Sequence, residues 1–120
     1  MRYDTDFSLL DIPNYKGPGI YALIDDLGRM YIGSSVNIQM RMKMHNTYLR
    51  FASVYGYNGF ENPRLIESVL SGSKIRCKIL LKTDNLNLSR DELYLLESDY
   101  IKIYRKSNEL FNTKAMRSNI

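Results

Sequence analysis

The chain has 120 residues, enough for one domain with a modest core and too few for a catalytic domain plus a separate recognition domain. Ten tyrosines, four phenylalanines and a net charge of +4 give a mild basic balance, compatible with a phosphate-bearing partner without demanding one. One cysteine excludes an internal disulfide and, with a single histidine, a structural zinc site; no apolar run nears the length of a membrane span, and no signal-peptide core is present, so a cytoplasmic location is expected.

Residues 1–16 hold Phe7, Leu9, Leu10, Ile12 and Tyr15 without a clean period. They read as an arm that packs across the domain, with a short helix or a partner contact as open alternatives. Gly19 to Asp25 is apolar and β-branched enough for a strand, Asp25-Asp26-Leu27-Gly28-Arg29 supplies a turn, and a second strand runs from Arg29 to Ser34. With Gly28 in the left-handed position of a three-residue loop, Asp25 pairs with Arg29, Leu23 with Tyr31 and Tyr21 with Gly33. Tyr21 and Tyr31 then share a sheet face; a two-residue loop would separate them. Gly33 opposite Tyr21 is expected to leave room beside that ring for a ligand. Cross-strand packing is the plainer reading of the two tyrosines.

Asn37 is a helix cap, and the helix after it reaches about Tyr55 with Ile38, Met42, His45, Leu49 and Ala52 as its inner stripe. Arg41 and His45 fall at i and i+4 near the edge of that stripe, while Lys43 and Arg50 point elsewhere. The loop from Tyr55 to Phe60 is rich in glycine and aromatics, suited to stacking on bases or to simple surface packing. Asn62-Pro63 starts a second helix with Leu65, Ile66, Val69 and Leu70 buried, ended by Gly72. From Lys74 to Lys82 the period becomes two, with Ile75, Cys77, Ile79 and Leu81 inward and Lys74, Arg76 and Lys78 outward. That basic face could meet a nucleic-acid backbone or simply be solvated.

Ser89-Arg90-Asp91-Glu92 is a capping box for a helix to about Lys106, whose inward stripe is Leu93, Leu96, Glu97, Tyr100, Ile101 and Tyr104. Glu97 lies inside an apolar stripe, where a carboxylate costs several kcal/mol unless paired, protonated or bound to a cation. An ion pair with a core-edge arginine such as Arg41 is the plain alternative. Residues 116–120 are a basic tail. The expected fold is α+β, a small three-stranded antiparallel sheet flanked by helices, in the order β-β-α-α-β-α.

Gly19-Ile20-Tyr21, then Tyr31-Ile32-Gly33, then Arg41 and His45 on the next helix, resemble the GIY-YIG nuclease domain. Glu97 and Asn112 fall where that family has a metal-binding glutamate and a late asparagine, so the resemblance covers residues 17–115. Met40 stands where some members carry a lysine, leaving any role of that lysine unfilled. The resemblance implies a divalent-metal-dependent endonuclease acting on DNA, of the kind found in homing, restriction and repair enzymes or in phage and mobile elements. Glu97 would hold one Mg2+ or Mn2+, Arg41 the phosphate. Tyr21, aided by Tyr31 and His45, would take the proton from the attacking water, which requires its phenol pKa to be depressed; His45 could be the base or relay itself. Asn112 would fix a ring hydroxyl or a phosphate oxygen. Lys43, Arg50, Lys74, Arg76 and Lys78 are the candidate nucleic-acid contacts. Duplex cleavage would call for a homodimer or sequential nicking; either cleavage has low sequence specificity, or recognition lies in residues 1–16, the loop from Tyr55 to Phe60 or a separate recognition protein. A non-catalytic binding module on the same scaffold and an RNA-cleaving toxin or defence nuclease are the competing classes.

Overall fold

The computed structural model describes residues 11–112. Its elements are β1 (Gly19–Ile24), β2 (Met30–Ser35), α1 (Ile38–Tyr55), α2 (Pro63–Leu70), β3 (Arg76–Lys82) and α3 (Arg90–Arg105), in the expected order. The sheet runs β2-β1-β3, antiparallel throughout. β1 is central and every residue in it is buried, as its unbroken apolar sequence requires. Tyr21 and Leu23 face a core closed by α1 and α2; Ile20, Ala22 and Ile24 face a second core closed by α3.

The hairpin has the three-residue loop. Gly28 takes φ +82°, Asp25 N donates to Arg29 O at 3.0 Å, and Leu23 pairs with Tyr31 and Tyr21 with Gly33. The Asp25 carboxylate accepts from Leu27 N, Arg29 N, Arg29 Nε and Ser68 Oγ. Burial alone would push its pKa up, but these donors outweigh it and hold the carboxyl below its ordinary range. The turn is thereby tied to α2.

The three helix caps are as expected: Asn37 accepts from Met40 N, Asn62 from Arg64 N and Leu65 N, and Ser89 exchanges bonds with Glu92. Two expectations fail. β3 pairs Ile20 with Leu81 but Tyr21 with Ile79, so Leu80 is the extra residue of a β-bulge. Cys77 and Ile79 therefore pack on the α1/α2 core while Leu80 and Leu81 pack on the α3 core, and Leu81 does not share a face with Ile79. Leu70 is exposed, not buried; it is the last residue of α2, next to the buried Val69, where the helix gives way to the turn at Ser71-Gly72. Burial raises the Cys77 thiol to about 11, in keeping with a core role.

Both ends of the described chain close over this frame. Gln39 N donates to Tyr15 O and Ile38 N to Gly17 O, so residues 15–17 pack on the start of α1; Phe7, Leu9 and Leu10 lie outside the described residues, as does the basic tail at 116–120. Residues 109–111 run along β2, with Met30 N donating to Glu109 O and Phe111 N to Met30 O.

Gly19 has a steric reason of its own. A Cβ there would sit 2.2 Å from the Leu81 carbonyl oxygen, and backbone cannot swing aside as a side chain can. Gly19→Ala should therefore cost about 1–3 kcal/mol, read as a lower urea midpoint with an unchanged slope.

Candidate active site

The hairpin places Tyr21 and Tyr31 on one face of the sheet, and α1 places His45 against both. The Tyr21 and His45 ring centroids are 5.6 Å apart and those of Tyr31 and His45 5.9 Å, each pair edge to face. Tyr21 Oη lies 2.7 Å from His45 Nε2, and His45 Nδ1 lies 2.5 Å from Glu61 Oε2. A carboxylate only accepts, so Nδ1 carries a hydrogen; in the neutral ring Nε2 is left to accept the phenol hydrogen. Glu61 Oε1 in turn accepts from Asn62 N at 2.9 Å, which fixes the carboxylate at the mouth of α2.

Tyr21, His45 and Glu61 thus form a buried hydrogen-bonded chain. Glu61 is absent from the sequence reading. It sits in an irregular loop just before the Asn62-Pro63 cap, where no periodicity marks a side chain as inward.

Gly33 does not open a space beside Tyr21. The tyrosine ring itself lies across it, so that a Cβ on Gly33 would fall 2.5 Å from Tyr21 Oη and 2.6 Å from Cζ. Tyr21 is 1% exposed. Burial drives its pKa well above 10; Tyr31 adds to the rise, as do Glu61 and Glu97, and the nearby Arg41 charge opposes it without prevailing. The depressed phenol that a free-standing Tyr21 base needs is therefore not what this environment produces. Tyr31 is only half-buried and is the more open of the two rings.

Arg41 stands one helical turn before His45 and is exposed. Glu97 arrives from the opposite face of the sheet, on α3. It is 3% exposed, and its Oε1 accepts from Ser34 Oγ at 2.6 Å. Gly33 lies under Tyr21 and Ser34 holds Glu97; consecutive residues of β2 turn to opposite faces, so the two halves stand across the strand from one another, with the Glu97 charge close enough to add to the rise of the Tyr21 pKa.

Asn112 does not reach a ring hydroxyl. Its Oδ1 accepts from Ile32 N and its Nδ2 donates to Ile32 O, both at 2.9 Å. It is clamped to the outer edge of the Tyr31-Ile32-Gly33 strand. Lys43 is exposed and Arg50 half-buried on α1. Lys74 precedes β3 and Arg76 and Lys78 lie in it, all exposed, on the far side of the sheet from β2, so these three are not gathered with the tyrosines.

Among the described residues no three His, Cys, Asp or Glu side chains assemble that could hold a metal ion. Glu97 offers one buried carboxylate. A hard cation such as Mg2+ keeps several waters and takes one or two carboxylates from a protein; Glu97 is the residue that would supply one, and at 3% exposure the waters would need space opened beside it.

The chain matches no protein-family model, and comparison with curated proteins and with solved structures found no similar protein. Among the described residues no helix is long and apolar enough to cross a membrane.

Proposed function

We propose that this protein is a divalent-metal-dependent endonuclease that hydrolyses phosphodiester bonds in DNA. The observation that carries the reading is the Tyr21–His45–Glu61 chain, with Arg41 one turn away on the same helix and Glu97 anchored at the adjoining residue of β2. Arg41 binds and orients the scissile phosphate through its fixed fork of donors. A cation at Glu97 would supply charge neutralisation at the phosphoryl oxygens. His45 is the terminal proton acceptor. Tyr21 passes its hydrogen to Nε2 as it takes one from the water; the water oxygen bonds to phosphorus, the bond from phosphorus to the leaving sugar oxygen breaks, and that oxygen takes a proton from solvent, so no free phenolate accumulates and the raised Tyr21 pKa is no obstacle. Glu61 holds the ring in the required tautomer and stabilises the imidazolium that results.

The burial of Tyr21 and Glu97 favours one competing reading, a non-catalytic binding module in which these residues serve the core. A supercoiled plasmid incubated with Mg2+ separates the two. Conversion to nicked circles is expected, suppressed by EDTA and absent from a preparation carrying both Arg41→Ala and Glu97→Ala. Equal conversion by the double variant would mean contaminating nuclease and would overturn the proposal. Cleavage of tRNA in preference to plasmid would move the assignment to an RNA-directed nuclease.

A further inference from the structure

β3 ends the sheet on the side away from β2, and among the described residues no strand lies beyond it. Asp25, which follows β1, bonds through its N–H to Arg29 O on the hairpin side, so by the alternation of an antiparallel pair the even-numbered residues of β1 bond to β3. Ala22 faces Lys78 and Ile24 faces Arg76; Cys77 and Ile79, out of phase with them, turn their N–H and C=O outward. The side chains alternate too. Cys77 and Ile79 are partly buried at the rim of the α1/α2 core, while Arg76 and Lys78 stand exposed on the other face and make no ion pair among the described residues. An edge of this kind accepts a strand that is apolar on one face and acidic on the other.

A second copy does not fit that description, because joining β3 to β3 about a two-fold axis brings Arg76, Lys78 and Lys82 opposite one another, and like charges directly opposite are destabilising. A nucleic acid would use the cations and not the backbone edge. Tyr3-Asp4-Thr5-Asp6-Phe7 of this chain has the required pattern, with strand-forming side chains at the odd positions and carboxylates at 4 and 6. These residues lie outside the described ones, but the chain that follows them is already at the edge. Lys82 Nζ stands 4.9 Å from the centre of the Tyr15 ring, Thr83 N donates to Pro18 O, and Tyr15 packs on the same core rim as Cys77 and Ile79. Residues 3–10 span at most about 26–29 Å when extended, against about 23 Å for the length of β3.

We propose that residues 3–10 lie along the open edge of β3 as an added parallel strand, with Asp4 and Asp6 beside Arg76 and Lys78, and Tyr3, Thr5 and Phe7 on the side of Cys77 and Ile79. The inference stands whether or not the chain cuts nucleic acid; where it does, Arg76 and Lys78 are spent on the arm and not on phosphate.

The test is amide hydrogen exchange, followed by NMR on the full chain and read at Cys77 and Ile79. Both N–H groups should be protected, and the double variant Asp4→Lys/Asp6→Lys should speed their exchange about tenfold, the size expected when two attractive cross-strand charge pairs turn repulsive. Adding Arg76→Glu and Lys78→Glu brings opposite signs together again and should restore protection, a rescue that general damage to the fold would not give. Exchange at Ala22, in the central strand, should stay slow in all three chains and marks the domain as intact. Free exchange at Cys77 and Ile79 in the unaltered chain, or no change with the two lysines, would overturn the inference. Protection that rises with protein concentration would give the edge to a second copy and would overturn it as well.

Discussion

Arg41→Ala should lower plasmid nicking by about 10²–10³-fold, the usual cost of one preorganised charge-stabilising donor, while leaving the thermal midpoint where it is. The side chain is exposed, so its removal leaves no cavity. Glu97→Gln should be as damaging to activity for a different reason. Glutamine keeps the shape and an oxygen for the Ser34 hydroxyl, but it removes the charge that draws a hard cation. A loss of stability of about 3–5 kcal/mol in Glu97→Gln would mark a structural ion pair at that position, and would count against a metal role.

His45→Ala should carry a large stability cost. It removes the donor to one oxygen of the buried Glu61 carboxylate, leaves the Tyr21 hydroxyl without its acceptor and opens a cavity, a change expected to cost about 2–5 kcal/mol. That is much of the total for a domain of this size. Urea denaturation checks it, and a cost under about 1 kcal/mol would show that the chain contributes little to folding. Glu61→Gln should be milder in stability, because its amide oxygen still accepts from Nδ1, yet it should slow cleavage by removing the charge that supports the imidazolium.

The same burial gives an alkaline signature. Tyr21 has a folded pKa raised well above 10, so the unfolded chain gives up its phenolic proton first. Its contribution is complete below about pH 10 and is lost as pH rises toward the folded value, by about 1.4 kcal/mol per pH unit. Tyr21→Phe should flatten that decline in an ultraviolet pH titration followed through unfolding.

Much of this was legible in the residues because local chemistry decides it. Gly28 sets the loop length, which sets the register, which puts Tyr21 and Tyr31 on one face. Asn37, Asn62 and Ser89 cap helices through bonds spanning two or three residues. What escaped depends on distant backbone. Leu80 is a bulge because β1 and β3 must stay paired while both cores are filled, and a period-two count has no place for an extra residue. Glu61 becomes part of the site only through His45, sixteen positions earlier. Tyr21 is a strand residue on any reading, but its complete burial, and with it the direction of its pKa, follows from how α1 and its His45 close over the ring. Asn112 was placed at the site, yet its amide is spent on the strand beside it.

That last clamp joins residues 80 positions apart, linking the final described residue to the second strand of the hairpin. Closing so long a loop costs chain entropy. During synthesis, the outer border of β2 stays unsecured until Asn112 has left the ribosome. A chain that has not yet delivered Asn112 therefore lacks the brace on the Tyr31-Ile32-Gly33 strand.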